Sequence, residues 1–148
     1  MKKIRLFEIF SGIGSQYKAL KNLEKELNFE TVSMGSCDFY IDAIISYQII
    51  HYGKLEPEIN FSHNKKASLL SKFTFSSDSK NVVKQNYFNK MNEDKLSRIF
   101  PYLYSFVDHE YFKKVYSDKI LHSNGGVDFC FKEANQKSNR CYKTNSAT

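Results

Sequence analysis

The run Leu6-Phe7-Glu8-Ile9-Phe10-Ser11-Gly12-Ile13-Gly14-Ser15, continued by Gln16-Tyr17-Lys18-Ala19-Leu20, restricts the fold more than any other part of the chain. Ile4, Leu6, Phe7, Ile9 and Phe10 form an apolar run of strand length, with enough β-formers to predict a buried strand over residues 4–10. Gly12 and Gly14 supply positions where the backbone can turn sharply and lie close to a ligand. After the turn, Ala19, Leu20, Leu23 and Leu27 recur at helical spacing and predict a helix over residues 15–27. A helix that opens directly after such a turn aims free N–H groups and a positive dipole end at whatever lies on it.

A second strand is expected from Glu30 to Gly35, with Val32 and Met34 toward the core. A second helix follows from Ile41 to Tyr52. Ile41, Ile44, Ile45, Ile49 and Tyr52 make its apolar face, with Tyr47 and Ile50 near the edge. This β-α-β-α order is the first half of a doubly wound α/β sheet with a right-handed crossover.

Asp38 stands 24 residues after Gly14, at the end of the second strand. A carboxylate there can accept hydrogen bonds from both ribose hydroxyls of an adenosine lying on the glycine turn. Phe39 can pack on the adenine face. Each residue also has a plainer reading: a simple turn for Gly12 and Gly14, an N-cap for Asp38, a core residue for Phe39. The shared β-α-β frame and the spacing favour the nucleoside site.

Composition bounds the rest. A chain of 148 residues suits one domain with a real core, and 41% hydrophobic with 26% charged residues is globular. The net charge of +6 and pI of about 9.1 suit a nucleic-acid partner or a basic solvated surface equally. Cys37, Cys130 and Cys141 form no CxxC pair, which predicts neither a zinc site nor a disulfide framework. Arg5 and Glu8 interrupt the apolar stretch behind Met1-Lys2-Lys3, which argues against a signal peptide, and no stretch has the length of a membrane span. The expectation is a soluble cytoplasmic protein with no membrane partner.

Phe10-Ser11-Gly12-Ile13-Gly14-Ser15 resembles the opening motif of the DNA (cytosine-5) methyltransferases, a Phe-x-Gly-x-Gly turn that binds S-adenosylmethionine after the first strand. Asp38-Phe39-Tyr40, with Ala43-Ile44 and Tyr47-Gln48-Ile49-Ile50-His51 behind it, is similar to that family's acidic-aromatic pair and following helix. Residues 4–52 resemble the mollicute-type members in order and spacing. The resemblance implies a cofactor-binding role for Phe10, Ser11, Gly12, Ile13, Gly14, Ser15, Asp38 and Phe39. Phe10, Gly12 and Gly14 would line the methionine end, Ile13 and Ser15 would add backbone contacts, Asp38 would hold the ribose and Phe39 would stack on adenine. Two positions depart from the family pattern. Ser15 stands where many members have a second glycine, and Phe39 replaces the commoner tryptophan.

The resemblance also implies machinery that this sequence lacks. The family attacks carbon 6 of cytosine with a thiolate from a Pro-Cys loop, and an acid comes from a later Glu-Asn-Val stretch. Pro57 and Pro101 are the only prolines, and neither precedes a cysteine. Cys130, in Val127-Asp128-Phe129-Cys130-Phe131, falls near the expected loop but reads as a small core residue, so no catalytic residue is assigned. The polar, aperiodic stretch from 131 to 148 reads as a disordered basic tail, with out-of-frame translation of a truncated methyltransferase as the expected origin.

The implied organisation is a cofactor-binding half-domain over residues 1–55, a mostly helical insert or continuation over 56–130 and the tail over 131–148. Gly53–Ser62 reads as a linker, Ser62–Phe73 as a helix, Thr74–Ser79 as a polar turn, and Asn81–Asn89 and Glu93–Tyr104 as helices. The aromatic run from Tyr102 to Tyr116, interleaved with Lys113, Lys114 and Lys119, reads as a helical insert packing on the sheet; nucleic-acid stacking is the alternative. The implied fold is thus the N-terminal part of a doubly wound, Rossmann-like methyltransferase domain with an aromatic-rich helical insert. The implied cofactor is S-adenosylmethionine, and the implied partner of the full-length protein is DNA within a restriction-modification system. A second chain carrying the Pro-Cys loop is a further possible partner. Other classes are a nicotinamide-dependent enzyme, which would carry a third glycine where Tyr17 stands, and a non-enzymatic nucleoside-binding module.

Overall fold

The computed structural model describes residues 1–116. Within them the order is β1 (Lys2–Ile9), α1 (Ser15–Leu27), β2 (Phe29–Cys37), α2 (Ile41–Tyr52), α3 (His63–Leu70), α4 (Glu93–Val107) and α5 (His109–Val115). The result is a mixed α/β molecule with a two-stranded parallel sheet and five helices among the described residues. None of these helices is long and apolar enough to cross a membrane. Cys130, Cys141, Lys119 and the tail from 131 to 148 lie outside the described residues.

β1 pairs with β2 in parallel, running from Lys2 opposite Phe29 to Ile9 opposite Cys37. Leu6 faces Ser33 but Phe7 faces Gly35, so Met34 is the extra residue of a bulge. The glycine turn leaves the sheet where this ladder ends, and Ser11 N–H donates to the Cys37 carbonyl at 3.2 Å.

Burial in this half departs from the sequence expectation. Glu8 is the one buried residue of β1, whereas Ile9 and Phe10 are 66% and 79% exposed. No residue of α1 is buried, and Leu23 and Leu27 are open to solvent. Phe29 and Thr31, rather than Val32 and Met34, are the buried side chains in the lower part of β2. The reason is geometric. A strand is buried on both faces only when neighbouring strands and helices cover it, and among the described residues β1 has a single partner.

The main core lies on the other side of α2. Ile41 and Ile44 pack with Ala67 and Leu70 of α3, Phe75 and Phe88 of the connection, and Leu96, Phe100, Leu103 and Phe106 of α4. Aromatic rings lock this core from α4 to α5. Phe100 stacks on Tyr104 with centroids 5.1 Å apart, and Tyr111 meets both rings edge-on. The run from Tyr102 to Tyr116 is therefore largely packing: Tyr102, Phe106, Tyr111, Phe112 and Tyr116 are buried.

Local chemistry sets the helix starts. Ser62, Asn92 and Asp108 each accept a backbone N–H three residues on, from Lys65, Lys95 and Tyr111. Pro101 sits inside α4 without breaking it. Proline has no N–H to offer the Ser97 carbonyl, and the Glu58 N–H takes that acceptor at 2.9 Å. The linker thus docks on α4 through the bond that the proline leaves vacant. Lys66, fully buried, fixes the same joint; its ammonium donates to the Glu58 carbonyl, the Ser97 hydroxyl and the Glu93 carboxylate. Lys66 and His63 together hold the Glu93 carboxyl down at about 2.

The helix expected over Asn81–Asn89 does not form. The Asp78 carboxylate captures the N–H groups of Lys80 and Asn81, and Val83 N–H turns back to the Phe75 carbonyl. The bond from Val83, with the antiparallel bridge between Ser76 and Val82 and a left-handed Ser79, holds the chain extended where the helix would have to start. The segment instead makes loose turns that insert Phe88 into the core.

Candidate functional site at the glycine turn

The turn after β1 is built on left-handed backbone. Phe10 has φ +53°, Gly12 +53° and Gly14 +74°. Gly14 N–H donates to the Ser11 carbonyl at 2.8 Å, and Gly14 serves as the N-cap of α1 with no side chain to offer. The two glycines have different surroundings. A Cβ on Gly12 would meet nothing within 4 Å. A Cβ on Gly14 would lie 2.2 Å from His51 Nε2 and 2.5 Å from Tyr47 Cε2. Gly12 keeps space open above the turn, and Gly14 lets α2 approach from below.

Asp38, 8% exposed, ties the turn to α2. Its Oδ2 accepts the Gly12 N–H at 2.8 Å, and its Oδ1 accepts those of Phe39 and Tyr40 at 2.7 and 2.9 Å. It is not the N-cap of α2. That position belongs to Tyr40, which makes no side-chain cap bond. A carboxylate has about four acceptor sites, so Asp38 retains room for one further donor.

Beneath the turn lies a polar cluster that sequence reasoning missed. Glu8, 3% exposed, accepts the Tyr17 N–H of α1 and the Tyr47 hydroxyl of α2, each at 3.3 Å. His51 Nε2 lies 3.0 Å from the Ile13 carbonyl, an acceptor, so that nitrogen carries the ring proton. The ring packs against Tyr17 and Tyr47, with centroids 5.2 and 4.4 Å away. Burial pushes the His51 pKa down and the Tyr47 phenol up. Helical periodicity places Tyr47 at the edge of the apolar face, yet Tyr47 is 2% exposed. The available signal was Glu8 itself, a carboxylate inside an apolar strand that requires a buried donor.

Burial also raises the Glu8 pKa, against the opposing effect of its bonds to Tyr17 and Tyr47. The folded protein therefore holds the Glu8 proton to higher pH than the unfolded chain. Stability contributed by protonated Glu8 is full below the ordinary value of 4.5 and is lost as pH rises through the folded value. The stability of wild type minus that of Glu8→Gln should fall across that window and then level off. Urea unfolding of both proteins at a series of pH values measures it, and a difference that rises instead would show the carboxylate to be favoured in the fold.

The structure thus brings Gly12, Gly14 and Asp38 together at one point, flanked by Ser11, Ile13 and Ser15. Among the first N–H groups of α1, Tyr17 is held by Glu8 and Lys18 closes on Gly14, which leaves those of Ser15 and Gln16 outside the helical ladder. The Ser11 hydroxyl is buried without a partner among the described residues. Ile13 is 54% exposed. Phe39 is half-buried, and its carbonyl accepts the Ser76 N–H at 2.8 Å. These features fit a nucleoside-bearing ligand: open space at Gly12, a positive helix end, and a carboxylate with residual acceptor capacity.

No family model matches the chain. Over 102 residues the chain is 38% identical to the orphan methyltransferase M.SssI of Spiroplasma monobiae, an alignment that takes in 67% of this chain and 25% of that relative. The chain therefore spans about a quarter of the length of the curated relative that it matches. The glycine turn, the acidic-aromatic pair at the end of β2 and this identity agree, and together they support the DNA (cytosine-5) methyltransferase family for this chain.

Proposed function

We propose that residues 1–55 are the S-adenosylmethionine-binding portion of a DNA (cytosine-5) methyltransferase and the start of a Rossmann-like, doubly wound domain. The observation that carries this reading is the bond from Gly12 N–H to Asp38, which joins the two motifs of the family resemblance across 26 residues. When bound, the cofactor supplies an electrophilic methyl group. The chain's own residues then have separable tasks. Gly12 admits the ligand against the backbone, and the open end of α1 favours its negatively charged methionine carboxylate. Asp38 offers its remaining acceptor site to a ribose hydroxyl. Ser11, Ile13 and Ser15 border the turn, while Phe10 and Phe39 provide ring faces at its two ends.

The reaction class further needs a thiolate and an acid, and neither a Pro-Cys nor a Glu-Asn-Val stretch occurs in these 148 residues. We therefore assign this chain cofactor binding without methyl transfer of its own. Calorimetric titration should show binding of S-adenosylmethionine and S-adenosylhomocysteine, and none of NAD. Asp38→Ala should weaken binding by about 10- to 100-fold, the loss of a hydrogen bond to a charged group. Equal affinity for NAD would replace the methyltransferase reading by a nicotinamide one. Incorporation of labelled methyl groups into DNA by the purified chain would overturn the assignment of inactivity.

A further inference from the structure

Residues 60–98 contain eight Lys and Arg and only three acids. The acids are already engaged. Glu93 pairs with Lys66 and His63, Asp94 with Arg98, and Asp78 with the backbone of Lys80 and Asn81. Lys72, Lys84, Lys90 and Lys95 are exposed, and none forms an ion pair among the described residues.

These four lysines are not scattered. Lys72 and Lys84 line an open groove of 840 Å³ between α3 and the turn at 84–89, together with the carboxamides of Asn64, Asn86 and Asn89. A second groove of 520 Å³ adjoins it and shares Lys84 and Asn86; Lys90, Lys95 and Tyr87 line it beside Asp78, Val82, Val83 and Met91. The two grooves thus form a continuous strip on which four ammonium groups and several carboxamides outnumber one carboxylate, Asp78. Strong fields of one sign over a grooved surface attract a polyanion, and carboxamide donors suit phosphate and sugar oxygens. The refusal of residues 81–89 to form a helix is what opens the strip, because the turns spread Lys84, Asn86 and Lys90 around its rim.

We infer that this strip docks the phosphate backbone of duplex DNA. The choice of duplex DNA among polyanions rests on the methyltransferase reading; the strip itself does not. The contact is sequence-independent, since lysines on phosphates fix position rather than read bases. Its lining comes from α3, α4 and the connection between them, and includes no residue of the glycine turn.

The test is fluorescence anisotropy of a labelled 20-base-pair duplex against the full chain over a range of salt concentrations. Each lysine–phosphate contact adds about 0.9 to the slope of log K against log salt. Replacing Lys72, Lys84, Lys90 and Lys95 together by Gln should lower that slope by about 3.6 and weaken binding at least tenfold. Replacing Lys2, Lys3, Lys25 and Lys54 by Gln should change it far less, and circular dichroism should show both variants folded. An unchanged slope in the first variant, a larger loss in the second, or no duplex binding by wild type at low salt would overturn the inference. Tighter binding of a duplex RNA of the same length would overturn it in favour of RNA. Titration of the same proteins with S-adenosylhomocysteine separates the two readings. Cofactor binding without lysine-dependent DNA binding removes the docking strip alone, whereas lysine-dependent DNA binding without cofactor binding removes the methyltransferase reading alone.

Discussion

Gly14→Ala is expected to destabilise the protein by about 2–5 kcal/mol, combining the cost of a left-handed non-glycine residue with that of overpacking. The new methyl would meet the His51 ring at 2.2 Å and the Tyr47 ring at 2.5 Å. Neither ring can yield without loss. His51 is held to the Ile13 carbonyl, and Tyr47 is buried with its hydroxyl on Glu8. Gly12→Ala makes the informative contrast. Its φ of +53° carries the same kind of backbone cost, about 1–2 kcal/mol, but its Cβ enters open space. Urea unfolding should therefore rank Gly14→Ala well below Gly12→Ala. Cofactor affinity per folded molecule should fall in Gly12→Ala, because the added methyl occupies space proposed for the ligand. Equal stability of the two variants would show that α2 does not press on the turn as described.

Lys66→Ala is expected to cost about 2–4 kcal/mol, the range for removing a buried aliphatic stem and leaving a cavity. The loss also strands the Glu58 carbonyl and leaves the Ser97 hydroxyl only its bond to Glu93. Glu93 is a smaller part of the total, since its side chain is 56% exposed and water can replace the lysine there. Lys66→Met tests this division. It keeps the volume of the stem and removes the charge, and a buried charge exchanged for a hydrophobe of similar size is often close to neutral. Thermal or urea unfolding should place Lys66→Met about 1–2 kcal/mol above Lys66→Ala. If the two variants are equally unstable, the ionic contacts rather than the stem hold the joint between the linker and α4.

The sequence announces the local features of this molecule better than the distant ones. The spans of α1 and α2 follow from periodicity bounded by turn residues, and the structure reproduces them at 15–27 and 41–52. The meeting of Gly12 with Asp38 follows from the β-α-β frame, since parallel strands bring both turns to one end of the sheet. What was not legible depends on partners far along the chain. Tyr47 turns inward because Glu8, 39 residues earlier, accepts its hydroxyl. The 81–89 segment carries apolar residues at near-helical spacing, but Ser79 takes a left-handed φ of +64°, Val82 bridges to Ser76 and Val83 N–H bonds the Phe75 carbonyl, so the chain enters the segment extended. The apolar stripe of α1 shows which face wants cover, not whether the described residues supply it, and none of its residues is buried.

The tyrosines described as core packing have an optical consequence. The chain has ten tyrosines and no tryptophan, so its near-ultraviolet absorbance and emission come chiefly from phenol rings. Burial raises the ionisation of Tyr47, Tyr111 and Tyr116, and burial beside Asp108 lifts Tyr104 to about 12. A free phenol ionises near pH 10, so these four rings are expected to form phenolate only at higher pH. Unfolding of α2, α4 and α5 removes the burial that raises them and should return their ionisation toward the ordinary value. The absorbance of tyrosinate thus serves as a built-in reporter of the packing between these helices, with no label added.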